Sequence, residues 1–266
     1  MTMNKNFELS DAALKPVIKN TTIGQKLYFY DTVTSTFDKL AELPECEGLT
    51  VVASHQTNGR GRLGRSWDSD KGGIYFSFML LPPVETDSAP FITLICALAV
   101  QKVLSEYLPC RIKWPNDIVS DGRKLCGILT KTTLCEGKIK NILVGIGINA
   151  NNKKFPKELV NASSIRLLTK KAVDENKLFY EVIKQLDRYY YKENRENILK
   201  EYKKACVNLG KTVTIHYTDG RGDIKGMCTD ILCDGTMNVI TQDGRNINVS
   251  SGEVSVKGIY EAERTI

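Results

Sequence analysis

The chain has 266 residues, 42% of them hydrophobic and 26% charged, enough apolar side chain for one substantial core and a smaller second unit. That balance excludes a disordered chain, and the net charge of +6 suits an acidic protein partner, nucleotide phosphates or nucleic acid without choosing among them. Eight cysteines stand singly, with no Cys-x-x-Cys pair and only His55 and His216 as imidazoles, which argues against a zinc site.

Residues 1–10 are polar and lack the apolar run of a signal peptide, and the most hydrophobic stretch, 89–100, is too short to span a bilayer. The expectation is a cytoplasmic protein with reduced cysteines, in which the sequons at Asn20, Asn161 and Asn248 have no meaning. Residues 1–22 read as a polar N-terminal extension with a short amphipathic stretch at 9–18, leaving no room for a complete DNA-reading helical domain. Strand-like runs at 26–30, 49–54 and 73–81 follow, then a helix at 90–108 with Pro90 in its first turn. Runs at 111–114, 126–134 and 139–146 predict three more strands, the last two paired as a hairpin through Glu136-Gly137. Segment 174–207 has helical spacing at Leu178, Val182, Ile183, Leu186, Tyr189 and Tyr190, broken near 191–195, and predicts two helices. Beyond residue 208 the texture changes to short β runs at 212–216, 226–232, 236–240 and 245–249, separated by Asp-Gly turns at 219–220, 234–235 and 243–244. The chain thus divides into an extension at 1–22, a main domain at 23–207 and a small barrel-like β domain at 208–266.

Three segments carry chemistry. In Gly59-Arg60-Gly61-Arg62-Leu63-Gly64-Arg65-Ser66-Trp67, the glycines let backbone amides approach a ligand and the arginines can neutralise phosphate or carboxylate. Trp67 can stack on a base or cover a bound nucleotide. The segment fits a bare G-x-G-x-x-G, yet a strand follows where a dinucleotide fingerprint must open a helix, and no Gly-Lys-Ser/Thr closes it as a phosphate loop. A solvated basic turn is the plainer alternative.

Lys113-Trp114-Pro115-Asn116-Asp117 ends a strand, with Pro115 breaking the pairing, and Lys124 follows closely. Two lysines around one carboxylate and one amide suit a nucleotide: cations for an α-phosphate, and Asp117 for a magnesium ion or an incoming amine. An ordinary turn at Asn116-Asp117 is the competing reading. In residues 144–149, Gly145 and Gly147 strip one strand face of side chains, leaving room for a flat ligand or for close packing of another backbone.

Taken in order, these segments resemble the catalytic domain of biotin protein ligases, from about Thr22 to Val256. The marks are Ser35-Thr36, Gln56 with the Gly59 to Trp67 loop, Lys113 to Asp117, Lys124 to Leu129, Gly145 to Asn149, and Ser251-Gly252-Glu253-Val254 near the end. The resemblance implies an α+β fold: a central mixed and antiparallel sheet of the class II synthetase-like type, followed by a small SH3-like β-barrel. It implies that ATP, with Mg2+, activates biotin as biotinyl-5′-AMP, and that the biotin then passes to a lysine of a biotin carboxyl carrier protein of acetyl-CoA carboxylase or another biotin-dependent carboxylase.

By the same resemblance, Ser35, Thr36 and Gln56 hold the ureido ring of biotin, and Gly59, Arg60, Gly61 and Arg62 close over biotin and the adenylate. Gly127, Gly145 and Gly147 line the biotin pocket; Arg62, Arg65, Trp67, Lys113, Asn116, Lys124 and Asn149 serve ATP. Arg62, Lys124 and Asp117 form the catalytic set, Lys124 between the biotin carboxylate and the α-phosphate, with Asp117 orienting the attacking amine or holding magnesium. The family's usual residues beside the Ser-Thr pair are replaced by Thr34 and Phe37, the usual Val-Glu after the glycine strand by Thr130-Lys131, and a common alanine by Cys126. Some relatives carry a winged helix that represses biotin genes; the expectation here is no DNA binding and no membrane, and homodimers occur in the family although no residue establishes one. The rival readings are a lipoate protein ligase and a non-catalytic basic binding module.

Overall fold

The computed structural model describes residues 8–14, 20–82, 89–217, 222–250, 254–257 and 259–260. A short helix α1 (Asp11–Leu14) precedes strand β1 (Leu27–Val33), helix α2 (Thr36–Ala41), strand β2 (Thr50–Gln56), the two-residue strands β3 (Gly59–Arg60) and β4 (Ser66–Trp67), and strand β5 (Ile74–Leu80). Helix α3 (Ala89–Leu104) leads to β6 (Arg111–Lys113), β7 (Asp117–Ser120), β8 (Arg123–Cys135) and β9 (Lys138–Ile148). Helices α4 (Ile165–Thr169), α5 (Glu175–Tyr191) and α6 (Arg195–Ala205) follow, then β10 (Thr212–Tyr217), β11 (Asp223–Ile231), β12 (Met237–Thr241), β13 (Asn246–Val249) and β14 (Val254–Lys257).

The main sheet has the order β1-β2-β5-β9-β8-β7-β6. It is mixed because β1 pairs parallel with β2, across the crossover through α2, while every other neighbour is antiparallel. Two hairpins set its central register. The predicted one joins β8 to β9 through Glu136 and Gly137, both left-handed at φ 51° and 75°, the geometry a tight two-residue turn demands. The other joins β7 to β8 through Asp121 and Gly122, φ 47° and 69°, and corrects the reading of Asn116-Asp117 as a strand end: Asp117 opens a further strand. The helix expected at 90–108 stops at Leu104, where residues 105–108 tighten into turns.

Period-two alternation divides the sheet into two working faces. Phe76 and Phe78 of β5 and Val144, Ile146 and Ile148 of β9 point to the large core, against α3 and its neighbour α5. Helix α3 is buried nearly all round, which explains its uniformly apolar sequence. The other face carries Met79, Leu143, Ser77, Gly145 and Gly147; there α2 seals one end with Phe37 and Leu40, leaving the rest for a cavity.

The second sheet, order β13-β12-β11-β10-β14, is wholly antiparallel and SH3-like. Buried Val213, Ile215, Cys228, Met237 and Val239 supply its core. It is pinned to the main sheet by the Trp114 indole, 1% exposed, which donates to the Gly235 carbonyl at 3.1 Å while the Trp114 backbone amide donates to Asn208 Oδ1 at 2.7 Å. Gly235, at φ 87°, fits closely over Pro90 and Phe91, where a Cβ would meet backbone at 3.0 Å. The Asp-Gly turn at 219–220, residues 15–18 of the amphipathic stretch, and Ser251, Gly252 and Glu253 lie outside the described residues. No helix among the described residues is long and apolar enough to cross a membrane.

Candidate active site

A cavity of about 320 Å³ opens on the glycine-bearing face of the main sheet. Ser35, Thr36, Gln56, Arg60, Gly61, Arg62, Arg65, Trp67, Lys113, Asn116, Asp117, Lys124, Gly127, Gly145, Gly147 and Asn149 all line it. Gly59 does not. It stands behind the wall, where a Cβ would meet Ser69 Oγ and the Trp67 carbonyl at 2.6 Å, so glycine is required there for the β3-β4 ribbon to pack.

One row of side chains explains how residues so distant in sequence converge. Register pairs Lys113 with Asp117, Asp117 with Gly127, and Gly127 with Gly147 across four adjacent strands. Paired residues share a face, so two charged groups and a glycine floor are set side by side. Above that floor lie two aromatic rings. A Cβ on Gly147 would come 2.3 Å from Trp67 Nε1, one on Gly127 2.7 Å from its Cζ3, and one on Gly145 2.9 Å from Phe37 Cδ2. The stripped face is therefore met by side-chain rings rather than by another backbone.

At the polar end, Ser35 caps α2 and Thr36 enters its first turn. The Thr36 amide and hydroxyl donate to Gln56 Oε1 at 2.7 and 3.0 Å, and Gln56 Nε2 donates to Ser69 Oγ at 2.8 Å. Both lone pairs of the Gln56 carbonyl are thus used, and one of its amide hydrogens remains for a ligand. Thr36 Oγ1 also lies 2.9 Å from Ser77 Oγ.

The arginine and glycine loop is a tight ribbon. Gly59 pairs with Trp67 and Arg60 with Ser66, and the tip turns through Leu63 and Gly64, both left-handed at φ 55° and 71°. Arg60 reaches Asp38 of α2 at 2.6 Å on the exposed side. Arg62 turns inward and donates to Asn116 Oδ1 at 2.9 Å, while Asn116 Nδ2 donates to the Ile128 carbonyl at 2.8 Å. Burial lowers the Arg62 pKa and nearby Arg65 adds to that, against the opposing pull of Asp117.

Asp117 is the centre of charge. Burial alone would raise its pKa, but the ammonium groups of Lys124 and Lys113 and the Tyr260 hydroxyl outweigh it and hold the carboxyl below the usual range. Lys124 Nζ lies 2.7 Å from Oδ1 in an ion pair, which leaves this buried oxygen a second lone pair for one further donor. Trp67 Nε1 and Asn149 Oδ1 are buried without hydrogen-bond partners. Two unpartnered atoms and a half-used carboxylate oxygen facing one cavity mark a place built to be completed by a polar ligand.

Sequence reasoning missed several wall residues. Ser77 alternates with core phenylalanines in β5, and the Asn161 carbonyl accepts from the Lys124 amide at 2.6 Å, bringing residues 158–162 over the cavity. Tyr260 arrives from beyond β14 and donates to Asp117 Oδ2. The Asp-Gly dipeptide at 121–122 signals the β7-β8 hairpin; nothing local signals Tyr260.

Comparison with known proteins fits this arrangement. The model of the biotin/lipoate A/B protein ligase family matches residues 28–149. The chain is 34% identical over 197 residues to the bifunctional ligase/repressor BirA of Bacillus subtilis, a match covering 71% of this chain and 61% of that protein. It is 27% identical over 220 residues to the biotin--[acetyl-CoA-carboxylase] ligase of Mycobacterium tuberculosis, covering 79% of each. Among solved structures, the biotin protein ligase from Aquifex aeolicus in complex with biotin and ATP superposes with a TM-score of 0.76 at 32% identity, over 88% of this chain and 99% of that one. Fold, cavity and likeness agree: the chain belongs to the biotin/lipoate A/B protein ligase family.

Proposed function

We propose that the protein is an ATP-dependent biotin ligase, which joins biotin to AMP with release of pyrophosphate and passes the biotin to a lysine of a biotin carboxyl carrier domain in the cytoplasm. One observation carries the reading: Arg62, Lys113 and Lys124 surround Asp117 beside a glycine-floored slot with a polar end. Three cations about one carboxylate leave an excess of positive charge where the two reacting anions, a carboxylate and an α-phosphate, must meet.

In the first step an oxygen of the biotin carboxylate bonds to the α-phosphorus, and the bond to the pyrophosphate oxygen breaks. Lys124 screens the two approaching anions from each other, while Arg62, Arg65 and Lys113 bind phosphate oxygens. The tie from Arg62 to Asn116 fixes the guanidinium before substrate arrives, so little reorganisation is needed at the barrier. Ser35, Thr36 and the free hydrogen of Gln56 meet the ureido group. Phe37, Trp67 and the three glycines give flat apolar walls, and Asn149 Oδ1 accepts from the nucleotide.

Asp117 does not fit a resident magnesium ion. It lies among cations, with one oxygen taken by Tyr260, and no three His, Cys, Asp or Glu side chains converge as metal ligands among the described residues. Magnesium belongs to the ATP chelate, as part of the substrate, and Asp117 to the incoming amine. The test is incubation with biotin, magnesium ATP and a carrier domain, read by intact mass of the carrier. A gain of one biotinyl group that needs every component supports the reading; an unchanged carrier removes it.

A further inference from the structure

Ile259 and Tyr260 leave the small sheet and pack on Val119 of β7, beside Val207. Tyr260 is only 8% exposed, and Lys113 Nζ sits 3.6 Å from its ring centroid. Its hydroxyl donates to Asp117 Oδ2, leaving Oδ1 as a buried acceptor in ion contact with Lys124. The groups facing Asp117 are Arg62 from the loop, Lys113 from β6, Lys124 from β8 and Tyr260, while Cys126 of β8 and Tyr202 of α6 lie in the core behind it within reach of its charge.

A carboxylate has a soft terminal torsion and, among three cations, would rotate to chelate two of them. The Tyr260 hydroxyl opposes that by holding one oxygen. The ring opposes it again, because the ammonium of Lys113 is drawn to the aromatic face. We propose that Tyr260 is a positioning residue for acyl transfer: it fixes Asp117 so that Oδ1 stays available to receive the ammonium of the carrier lysine, which makes the C-terminal segment part of the second half-reaction.

This rests on the ligase reading above. In the step concerned, the ammonium first gives up one proton to solvent and becomes an amine, one of whose two N–H groups is held by Oδ1. Its nitrogen bonds to the acyl carbon, the bond from that carbon to the phosphate oxygen breaks, and AMP leaves with the electron pair. The second proton leaves nitrogen through Oδ1 to solvent. Without Tyr260 the carboxylate turns toward the lysines and the amine loses its acceptor.

The experiment separates the half-reactions in wild type, Tyr260→Phe, Asp117→Asn and the double variant. Adenylate formation is followed by biotin-dependent pyrophosphate exchange, and transfer by single turnover of preformed biotinyl-5′-AMP with carrier. The expected result for Tyr260→Phe is transfer kcat down about tenfold with KM for carrier within about twofold, and adenylate formation within about twofold of wild type. The phenylalanine should cost little or nothing further in the Asp117→Asn background, since residues acting as a unit are not additive. Transfer at the wild-type rate, an equal fall in both half-reactions, or full additivity with Asp117→Asn overturns the proposal. Wild-type adenylate formation in the same assay keeps the ligase reading intact whatever Tyr260 does; its absence removes both.

Discussion

Arg62 donates to Asn116 Oδ1 at 2.9 Å and so ties the arginine loop to the turn between β6 and β7, fifty-four positions away. The bond joins the two segments that the proposed chemistry needs together, and it does so with a charged donor, about twice the strength of a neutral pair. Arg62→Ala should therefore lower biotin-dependent pyrophosphate exchange on the order of a hundredfold or more, as loss of a preorganised charge does. The loop should also become more sensitive to protease, because it loses its inward anchor. Exchange at the wild-type rate would detach Arg62 from the chemistry.

The glycine floor makes a sharper steric prediction. Gly147→Ala places a methyl group 2.3 Å from Trp67 Nε1, so the indole must move. The cost should be roughly 1–3 kcal/mol in a denaturant melt, the range for overpacking, with biotin affinity reduced about tenfold or more. Titration calorimetry checks this, and unchanged affinity would mean that ligand does not use this face. Gly64→Ala, where a Cβ meets nothing within 4 Å but φ is 71°, should act on the loop turn alone.

Asp117 makes a pH prediction whose sign follows from its lowered pKa. The unfolded chain binds a proton at this group before the folded chain does, so the stabilisation it gives is present above the ordinary carboxylate value. It is lost as pH falls through the lower folded value. The stability difference between wild type and Asp117→Asn should be flat near neutral pH and shrink below about pH 4. Its size should be on the order of 3 kcal/mol, because the variant leaves Lys113 and Lys124 without their carboxylate. A difference that grows on acidification would contradict the assignment.

Asp117→Ala tests the amine role directly. Given preformed biotinyl-5′-AMP, it should transfer to carrier at least about tenfold more slowly than wild type in single turnover. Transfer at the normal rate would leave Asp117 with a structural role only.

Much of this site is legible in the sequence because its groups cluster in short segments. The loop from Gly59 to Trp67, the Lys113 to Asp117 run and the alternation at Gly145 and Gly147 each hold several wall residues, and the Glu136-Gly137 turn sets the register of the central hairpin. What the chain hides is non-local. That Lys113, Asp117, Gly127 and Gly147 form one row depends on pairing among four strands, which no local pattern records. The parallel pairing of β1 with β2 is hidden for the same reason. Gly59 illustrates the opposite error: it belongs to the glycine motif but serves packing against Ser69 and Trp67 rather than the cavity wall. Tyr260 escaped because a single aromatic near a chain end has no spacing to read, and its meaning lies in the return of the C-terminal segment to β7.

The most direct test of the account is pyrophosphate exchange into ATP by the purified protein, with biotin, lipoate or neither present. Exchange that depends on biotin, persists in excess lipoate and disappears in Arg62→Ala is the predicted result. Exchange driven by lipoate in preference to biotin, or none with either acid, would contradict it.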